Sequence, residues 1–398
     1  MGVGAPVRLS RAEARAFLVD RLLAPQPDVA AALAWLGAVQ MDPVSRVAPS
    51  HHLSLALRVS RYRPEQLERL RRRGGVLEVR AHERCLVPTD DLAAHLARQV
   101  AARERHSRHR SRAGEAVDAV LARIAAEGPR RARSFEGGRV EGMWDAPGEA
   151  TTKSTSLALE VLWVEGRLAV ARRQGNERTY DLFERVVGPD RLRRAQAVPG
   201  TEAAIRRLDA YVRAVRLCRA GDPHFGFQHG PVADRTALRA TALAQGRLAR
   251  VEIEGVRAAY WARPEDLDTW PGLSRRAREG AGRAVLVPPL DNLLWHRPRL
   301  EELFAFAYRW EVYTPVARRS VGPYGMPLLV GDEIWGQADA RLDRQQRQLW
   351  LMPAPPQPGV RPAAYRRALV RAGRDLARTL RRFEPGPPIE VCLAAPGG

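Results

Sequence analysis

The chain has 398 residues, of which 45% are hydrophobic, and this length exceeds what one small core can organise, so two to four modules are expected. No stretch approaches ~18 uninterrupted apolar residues, which argues against a membrane span. The first residues lack the basic-then-apolar layout of a secretory signal, so we predict a cytoplasmic protein.

The charge of the chain indicates the kind of partner it binds. The sequence has 65 lysine and arginine residues against 45 aspartate and glutamate residues, a formal net charge of +20. This excess favours a polyanionic partner, most often nucleic acid. A genome that prefers arginine codons would explain why Lys153 is the one lysine in the sequence, but it would not explain the excess of cations over acids.

The N-terminal region begins with a clear helix signal. Ser10 and Glu13 form a capping box, in which each side chain accepts a hydrogen bond from the other residue's backbone N–H. This helix should end before Pro25. Short helices followed by a strand pair are typical of a winged helix-turn-helix. The other elements predicted here are a helix capped by Asp28 that runs to Leu36, helices that begin after Ser50 and at Pro64, and an extended segment from Val76 to Val87.

A pattern of helix, Gly-Arg-Leu-Ala and alternating strands occurs twice in the middle of the chain. The first copy has Gly166 and the strand region Val170–Asp181, and the second has Gly246 and the strand region Val251–Ala262. Glycine at this place suits the left-handed end of a helix, and the strand pair after it would form a wing. Together with the N-terminal region, the copies predict three tandem winged-helix modules.

The sequence pattern changes in the C-terminal third, where short β-rich stretches alternate with glycine and proline turns from Arg283 onward. This pattern fits a small antiparallel sheet or barrel. A helix from about Pro362 to Phe383 should close the fold, and the tail after Glu384 should be loose. The predicted strands are Ala284–Val287, Arg309–Tyr313, Met326–Ile334, Gln337–Leu342 and Gln348–Leu351. The predicted module boundaries are 8–100, 113–190, 199–270 and 283–384.

The tetrapeptide Gln40-Met41-Asp42-Pro43 is the segment with the clearest chemical potential. Proline disfavours the helical region for the residue before it, so Asp42 should be extended, and residues two apart in an extended chain share a face. The Gln40 amide and the Asp42 carboxylate could then hold a water between them, and the carboxylate could act as a base or stabilise an oxocarbenium-like sugar. The alternative is that Asp42 is a turn residue in a connector, which the pattern alone favours.

A series of segments, in order along the chain, carries a family resemblance. The segments are Leu36–Pro43 followed by His51 and His52, then Glu78–Pro88, Asp291–Trp295 and Tyr308–Pro315. Together they resemble the winged-helix DNA glycosylases of the YcaQ/AlkZ family, from about Leu9 to Phe383. Ala307 and Gln337 depart from the family's pattern, which puts DNA contacts of the C-terminal barrel in doubt more than catalysis.

The resemblance implies an α+β fold of three tandem winged helix-turn-helix modules and a small C-terminal β-barrel, C-shaped around DNA. It implies excision of N7-alkylguanine, extending to the unhooking of interstrand crosslinks, with Asp42 as the catalytic carboxylate and Gln40 as its partner in placing water. An N7-alkylated guanine already carries a positive charge while it is attached to the sugar, so it departs without an acid and one carboxylate suffices. Strand cleavage would need an amine that forms a Schiff base, and Lys153 is the one lysine, so the prediction is a monofunctional enzyme.

Further site residues follow from the resemblance and from position in the predicted modules. His51, His52, Glu78 and His82 are expected to line the lesion pocket. Glu78 and His82 lie four apart on a predicted strand and so would face the same side, although His82 could instead be buried and paired with a carboxylate for packing. The expected DNA-binding residues, at a helix N-terminus and on a wing where they could contact phosphates, are Lys153, Thr155, Arg172, Arg173 and Arg178.

No metal or other cofactor is expected, because no ligand spacing recurs among the nine histidines. The expected partner is double-stranded DNA with alkylated or crosslinked bases, bound by a nucleoid-associated monomer. A non-catalytic winged-helix DNA-binding protein or regulator would explain the charge and the repeats equally well, whereas a metal-dependent nuclease would need a carboxylate or histidine cluster. Four tryptophans with apolar neighbours are predicted to be core residues, not stacking platforms: Trp144, Trp163, Trp295 and Trp310.

Overall fold

A computed structural model describes residues 5–219, 221–227, 232–268 and 283–394. The chain divides into two compact units, one formed by Met1–Pro64 with Tyr211–Gly398 and the other by Glu65–Ala210. This division falls within two of the predicted modules, 8–100 and 199–270, and the second of these includes positions outside the described residues. The module boundaries therefore stay a prediction.

The first unit begins with two capped helices. The Ser10 hydroxyl accepts a hydrogen bond from the Glu13 backbone N–H at 3.2 Å, and the Glu13 carboxylate accepts one from the Ser10 N–H at 2.8 Å, which confirms the capping box. Asp28 caps the second helix through the Ala31 N–H at 2.8 Å, and Gly37 ends that helix with φ of +68°. The elements of this segment are β1 (Val7–Leu9), α1 (Arg11–Leu22), α2 (Val29–Leu36), β2 (Val39–Gln40) and α3 (Ser50–Ala56).

The chain from residue 64 to residue 215 is mainly helical, with short hairpins between the helices. Strands β3 and β4 pair in antiparallel register, Glu78 opposite Leu86. The prediction that His82 lies on a strand with Glu78 is wrong, because β3 ends at Arg80 and the chain turns there before β4. The elements are α4 (Pro64–Arg72), β3 (Val76–Arg80), β4 (Arg84–Pro88), α5 (Leu92–Arg105), α6 (Ser107–Ala113), α7 (Ala116–Glu127), β5 (Arg130–Arg131), β6 (Arg139–Val140), β7 (Thr152–Lys153), α8 (Ser154–Val164), β8 (Leu168–Gln174), β9 (Glu177–Leu182), α9 (Phe183–Val187), α10 (Pro189–Gln196) and α11 (Gly200–Val215).

The described residues after position 215 complete the first unit with two sheets. One sheet has the order β1-β11-β12-β10, in which β1 runs parallel to β11, and the other has the order β13-β14-β15-β16-β17. The elements are β10 (Cys218–Arg219), α12 (Val232–Ala244), β11 (Ala249–Ile253), β12 (Tyr260–Ala262), α13 (Pro264–Leu267), β13 (Ala284–Leu286), α14 (Arg297–Phe304), β14 (Gly325–Val330), β15 (Glu333–Asp343), β16 (Gln348–Pro353), α15 (Pro362–Phe383) and β17 (Glu390–Leu393).

The internal repeat predicted from the sequence is present as local structure. Helix α8 is followed by Gly166 at φ of +67° and by the antiparallel pair β8–β9, and α12 is followed by Gly246 at φ of +65° and by the antiparallel pair β11–β12. A residue with a Cβ is disfavoured at such positive φ, so glycine is the natural residue where each helix turns into its hairpin. The assignment of these segments as winged helices stays a prediction.

The C-terminal sheet confirms the predicted β-rich region but corrects two details. Residues Arg309–Tyr313, predicted as a strand, belong to a loop between α14 and β14. The tail after Glu384, predicted to be loose, contains β17, which pairs in parallel with β16 from Gln348 to Leu351. The last four positions, 395–398, lie outside the described residues.

An apolar core cluster of the first unit lies between this sheet and helix α15. The helix buries one face, including Tyr365 and Leu369, against strands that contribute Met326, Leu328 and Leu351. Val47, Ala48 and Leu53 belong to the same cluster. The segment that follows Gln40-Met41-Asp42 is therefore part of the core that holds the C-terminal sheet.

A buried ion pair joins the N-terminal and C-terminal segments of the first unit. Arg58 and Asp291 have fully buried side chains and form two hydrogen bonds, at 2.7 and 3.0 Å. Arg58 also donates to the carbonyls of Leu22 at 2.6 Å and Ser54 at 2.7 Å. The Arg58 guanidinium thus donates hydrogen bonds to backbone carbonyls of α1 and α3 and to the Asp291 carboxylate of the C-terminal segment.

We predict that Asp291→Asn destabilises the protein by about 3–5 kcal/mol, because it leaves the Arg58 charge buried without its partner. Urea unfolding monitored by tryptophan fluorescence measures the change. The matched control is Asp375→Asn, which removes an exposed pair with Arg378 and should change stability by about 0–1 kcal/mol. Equal effects of the two substitutions would contradict the role given to the buried pair.

Candidate functional site

The segment Gln40-Met41-Asp42 leaves strand β2 and enters a turn. Gln40 and Asp42 are half-buried, whereas the Met41 side chain is buried. This alternation is expected if the side chains of Gln40 and Asp42 lie on the same side of the extended backbone. Asp42 lies beyond the end of the strand, and its Oδ1 accepts a hydrogen bond from the Val44 N–H at 2.8 Å. Asp42 is thus a turn residue, the alternative considered from the sequence, and its catalytic role stays a prediction.

Buried side chains hold the backbone on both sides of this turn. Before it, the Asn292 side-chain amide donates to the Ala38 carbonyl at 2.9 Å and to the Ala214 carbonyl at 3.1 Å, and Asn292 is fully buried. After it, the Tyr324 hydroxyl donates to the Ala48 carbonyl at 2.8 Å. The turn is therefore fixed to rigid parts of the first unit, as a site that must position a reacting group requires.

Two tyrosines of the C-terminal segment lie within the electrostatic influence of Asp42. Burial, and then the charge of Asp42, raises the pKa of the Tyr324 hydroxyl above its usual range. Desolvation and the same carboxylate raise the pKa of Tyr313, whose side chain is 77% exposed. Tyr313 was not among the predicted site residues, although its segment Tyr308–Pro315 carries part of the family resemblance.

The two histidines predicted for the lesion pocket open helix α3. His51 is buried, and its ring centroid lies 4.2 Å from that of His52. The His52 Nδ1 is 2.7 Å from the Tyr62 hydroxyl, within hydrogen-bonding distance. Both side chains are therefore fixed by neighbours in the first unit, and their contact with a lesion stays a prediction.

Glu78, the third residue predicted for the pocket, is the centre of a buried ion-pair cluster in the second unit. Its fully buried carboxylate lies 2.9 Å from Arg71 and 2.6 Å from Arg173. Burial raises the pKa of Glu78, but the charges of Arg71 and Arg173 outweigh that effect and lower the pKa to about 2. These contacts give Glu78 a structural role, and a pocket role for Glu78 and His82 stays a prediction.

A second carboxylate in the same unit is arranged in the same way. Glu160 lies 2.6 Å from Arg84 and 2.9 Å from Arg178, and its side chain is 12% exposed. Burial raises the pKa of Glu160, but the charges of Arg84 and Arg178 outweigh that effect and lower the pKa to about 2. Two of the arginines predicted to bind DNA, Arg173 and Arg178, are therefore paired with carboxylates of their own unit.

The remaining residues predicted to bind DNA differ in exposure. Arg172 is exposed on β8, and Lys153 is half-buried at the residue that precedes helix α8. Thr155, in the first turn of α8, is buried. Arg172 and Lys153 are thus better placed than Thr155 to contact a phosphate, and all three assignments stay predictions.

The tryptophans divide between core and surface. Trp163 is buried, as predicted, and its indole N–H donates to the Glu78 carbonyl at 3.0 Å. The prediction that Trp144 is a core residue is wrong, because it is 75% exposed. In the part of the chain that the structure describes, no group of three or more His, Cys, Asp or Glu side chains is arranged to hold a metal ion, and no helix combines the length and apolarity needed to cross a membrane.

The fold is similar to that of a DNA glycosylase of known structure. The structure of Streptomyces sahachiroi DNA glycosylase AlkZ matches 98% of this chain and 100% of its own, with a TM-score of 0.64 and 16% sequence identity. At this identity the match shows a shared mixed α/β fold.

A match to a family model assigns the chain to a protein family. The family model described as DNA glycosylase AlkZ-like matches residues 33–379. The chain therefore belongs to the AlkZ-like DNA glycosylase family, whose members are hydrolases of DNA repair, and the turn at Asp42 and most of both units lie within the matched range.

We predict that acidification destabilises the protein through Glu78 and Glu160. Their pKa values are about 2 in the folded state, against an ordinary value of 4.5, so their stabilising contribution is present above about pH 4.5 and is lost as the pH falls towards 2. Thermal unfolding midpoints between pH 7 and pH 2.5 test this expectation. Glu160→Gln should lower the midpoint at pH 7 and flatten its decline on acidification.

Glu384→Gln is the control for this prediction, because Glu384 forms an exposed pair with Arg344. The control should keep the wild-type pH profile. A Glu160→Gln profile parallel to that of the wild type would show that the buried pairs do not determine the acid sensitivity.

Proposed function

We propose that this DNA glycosylase is monofunctional and hydrolyses the N-glycosidic bond of N7-alkylguanine, with Asp42 as the catalytic carboxylate and Gln40 as the residue that helps to place water. The observation that carries the proposal is the anchored turn at Asp42. An amide and a carboxylate, both half-buried, lie two residues apart on a backbone that Asn292 and Tyr324 hold on either side. Family membership supplies the glycosylase activity.

The chemistry needs a single carboxylate. An N7-alkylated guanine departs as a neutral base once its glycosidic bond breaks, so no acid has to protonate it. The Asp42 carboxylate stabilises the positive charge that develops on the sugar and accepts a proton from the water that attacks the anomeric carbon. The products are free alkylguanine and an abasic site in an intact strand.

DNA binding completes the proposal. The net charge of +20 suits the phosphate backbone, and the repeated unit of helix, glycine turn and hairpin supports the assignment of three winged-helix modules. Exposed Arg172 and half-buried Lys153 are the proposed phosphate contacts in the second unit, with Thr155, Arg173 and Arg178 nearby in sequence. His51 and His52 of the first unit are proposed to contact the lesion, the pocket roles of Glu78 and His82 in the second unit stay predictions, and interstrand crosslinks formed through N7 of guanine are proposed as further substrates.

We predict that Asp42→Asn slows excision about 10²–10⁴-fold, because it removes the carboxylate while an asparagine can still accept the hydrogen bond from Val44. The assay measures free base released in a single turnover from a duplex that contains N7-methylguanine. Binding of the same duplex, measured by fluorescence anisotropy, should change less than about 3-fold, since the charge contacts that dominate affinity remain.

Asp375→Asn, on an exposed face of α15, is the control substitution and should excise at the wild-type rate. Equal rates for Asp42→Asn and the wild type would remove Asp42 from the mechanism. Binding without base release by the wild type itself would favour a non-catalytic DNA-binding protein.

We predict further that no covalent protein–DNA adduct forms when borohydride is added during excision. A Schiff base would require an amine, and Lys153, the one lysine, precedes α8 in the second unit, whereas the proposed catalytic turn belongs to the first unit. Denaturing gels of labelled duplex, with a lyase-type glycosylase as positive control, measure trapping. A trapped adduct that disappears in Lys153→Arg would show that the enzyme uses a lyase mechanism.

A further inference from the structure

A loop between α14 and β14 is closed by a single carboxylate. The Glu311 side chain accepts backbone N–H hydrogen bonds from Ser320, Val321 and Gly322 at 2.9–3.0 Å, and a fourth from the Ser320 hydroxyl at 2.8 Å. Burial raises the pKa of Glu311, but these donors lower it to about 2. The residues from 311 to 322, called here the Glu311 loop, are therefore closed at their two ends by the Glu311 carboxylate.

The Glu311 loop presents large apolar side chains to solvent. Tyr313 is 77% exposed and Val316 is 76% exposed, whereas most side chains of this size in the unit are buried. The Tyr313 ring is supported edge-on by Trp310, with centroids 5.7 Å apart, and Arg319 donates to the Thr314 carbonyl at 2.8 Å. The Tyr313 ring is therefore accessible to another molecule while its edge is supported by Trp310.

The end of the Glu311 loop meets the segment that carries Asp42. Gly322 has a φ of +143°, and a Cβ added to it would lie 2.5 Å from Asp339, so the loop passes directly over the β15 carboxylate. Two residues later, the Tyr324 N–H donates to the same carboxylate at 2.6 Å, and the Tyr324 hydroxyl donates to Ala48. Desolvation, and after it the Asp42 carboxylate, raises the pKa of the Tyr313 hydroxyl, in agreement with this arrangement.

We propose that Tyr313 stacks on a base of the DNA duplex at the lesion and so holds the damaged nucleotide against Asp42. Every base has a π-face, so an aromatic side chain can hold a disturbed base pair whatever its sequence. Arg309 and Arg318, exposed on either side of Tyr313 in sequence, supply cations for the adjacent phosphates. The proposal rests on the proposed function for the assignment of Asp42, and it makes Tyr313 a positioning residue.

The test compares four variants on a duplex that contains N7-methylguanine. Tyr313→Ala and Tyr313→Leu should slow single-turnover excision about 10-fold or more, in the range found for the loss of one base–aromatic stack. Tyr313→Phe keeps the ring and should excise within about 2-fold of the wild type. Val316→Ala, which truncates an equally exposed side chain of the same loop, is the matched control and should be unaffected.

A second measurement does not depend on catalysis. In the Asp42→Asn background, the ratio of the Kd for undamaged duplex to the Kd for damaged duplex should fall about 10-fold with Tyr313→Ala and stay unchanged with Tyr313→Phe. Thermal unfolding midpoints of all the variants should match, because Tyr313 is mostly exposed.

The outcomes separate the two proposals. Wild-type rate and lesion preference in Tyr313→Ala, or equal losses in Tyr313→Phe and Tyr313→Ala, would overturn the stacking role. If the wild type releases no base but lesion preference still depends on the aromatic ring, the proposed reaction fails and the role of Tyr313 stands.

Discussion

Two adjacent buried side chains, Asp291 and Asn292, connect the sequence segments that make up the first unit. Asp291 binds the Arg58 guanidinium, and Asn292 donates to the carbonyls of Ala38 and Ala214. These partners come from chain segments separated by the whole second unit, so the core of the first unit is completed only when both segments are in place. Any other pairing would leave a charge or an amide buried without a partner, which costs more than the native contact contributes. The turn that carries Asp42 takes its position from this arrangement.

Several arginines of the second unit are paired with buried carboxylates, so the net charge of the chain overstates the number of cations available to DNA. Glu78 and Glu160 each bind two arginines in largely buried positions, and Arg173 and Arg178 are among them. Fewer arginines are therefore available to bind a polyanion than the composition suggests. Candidate phosphate contacts are better identified by the exposure of each side chain than by its position in the sequence. On this ground Arg172, which is exposed, is proposed as a phosphate contact in preference to Arg173, which is paired with Glu78.

Local signals in the sequence predicted several local structures correctly, and contacts between residues distant in sequence account for two of the errors, at Arg309–Tyr313 and at β17. The capping box at Ser10 and the helix Pro362–Phe383 were correct because the residues that determine them are close in sequence. Residues Arg309–Tyr313 alternate like a strand but form a loop, because Glu311 binds backbone groups nine to eleven residues away. The pairing of β17 with β16 likewise could not be predicted from local sequence, because the two strands are separated by helix α15. Gln40 and Asp42 came from family resemblance, since the turn at Asp42 is also what an ordinary connector would show.

The two groups proposed to act on DNA both lie in loops, and both loops are fixed before any ligand arrives. A flexible loop would have to lose its conformational freedom on binding, and that entropy would be subtracted from the affinity of each contact. The four hydrogen bonds to Glu311 remove this cost for Tyr313, and Asn292 and Tyr324 remove it for Asp42. Both loops are attached to the C-terminal sheet and its core. A base held by the Tyr313 ring and a sugar held by the Asp42 carboxylate would therefore be positioned relative to one another by this part of the first unit. Such an enzyme can stabilise a transition state with few groups, provided that those groups are already in place.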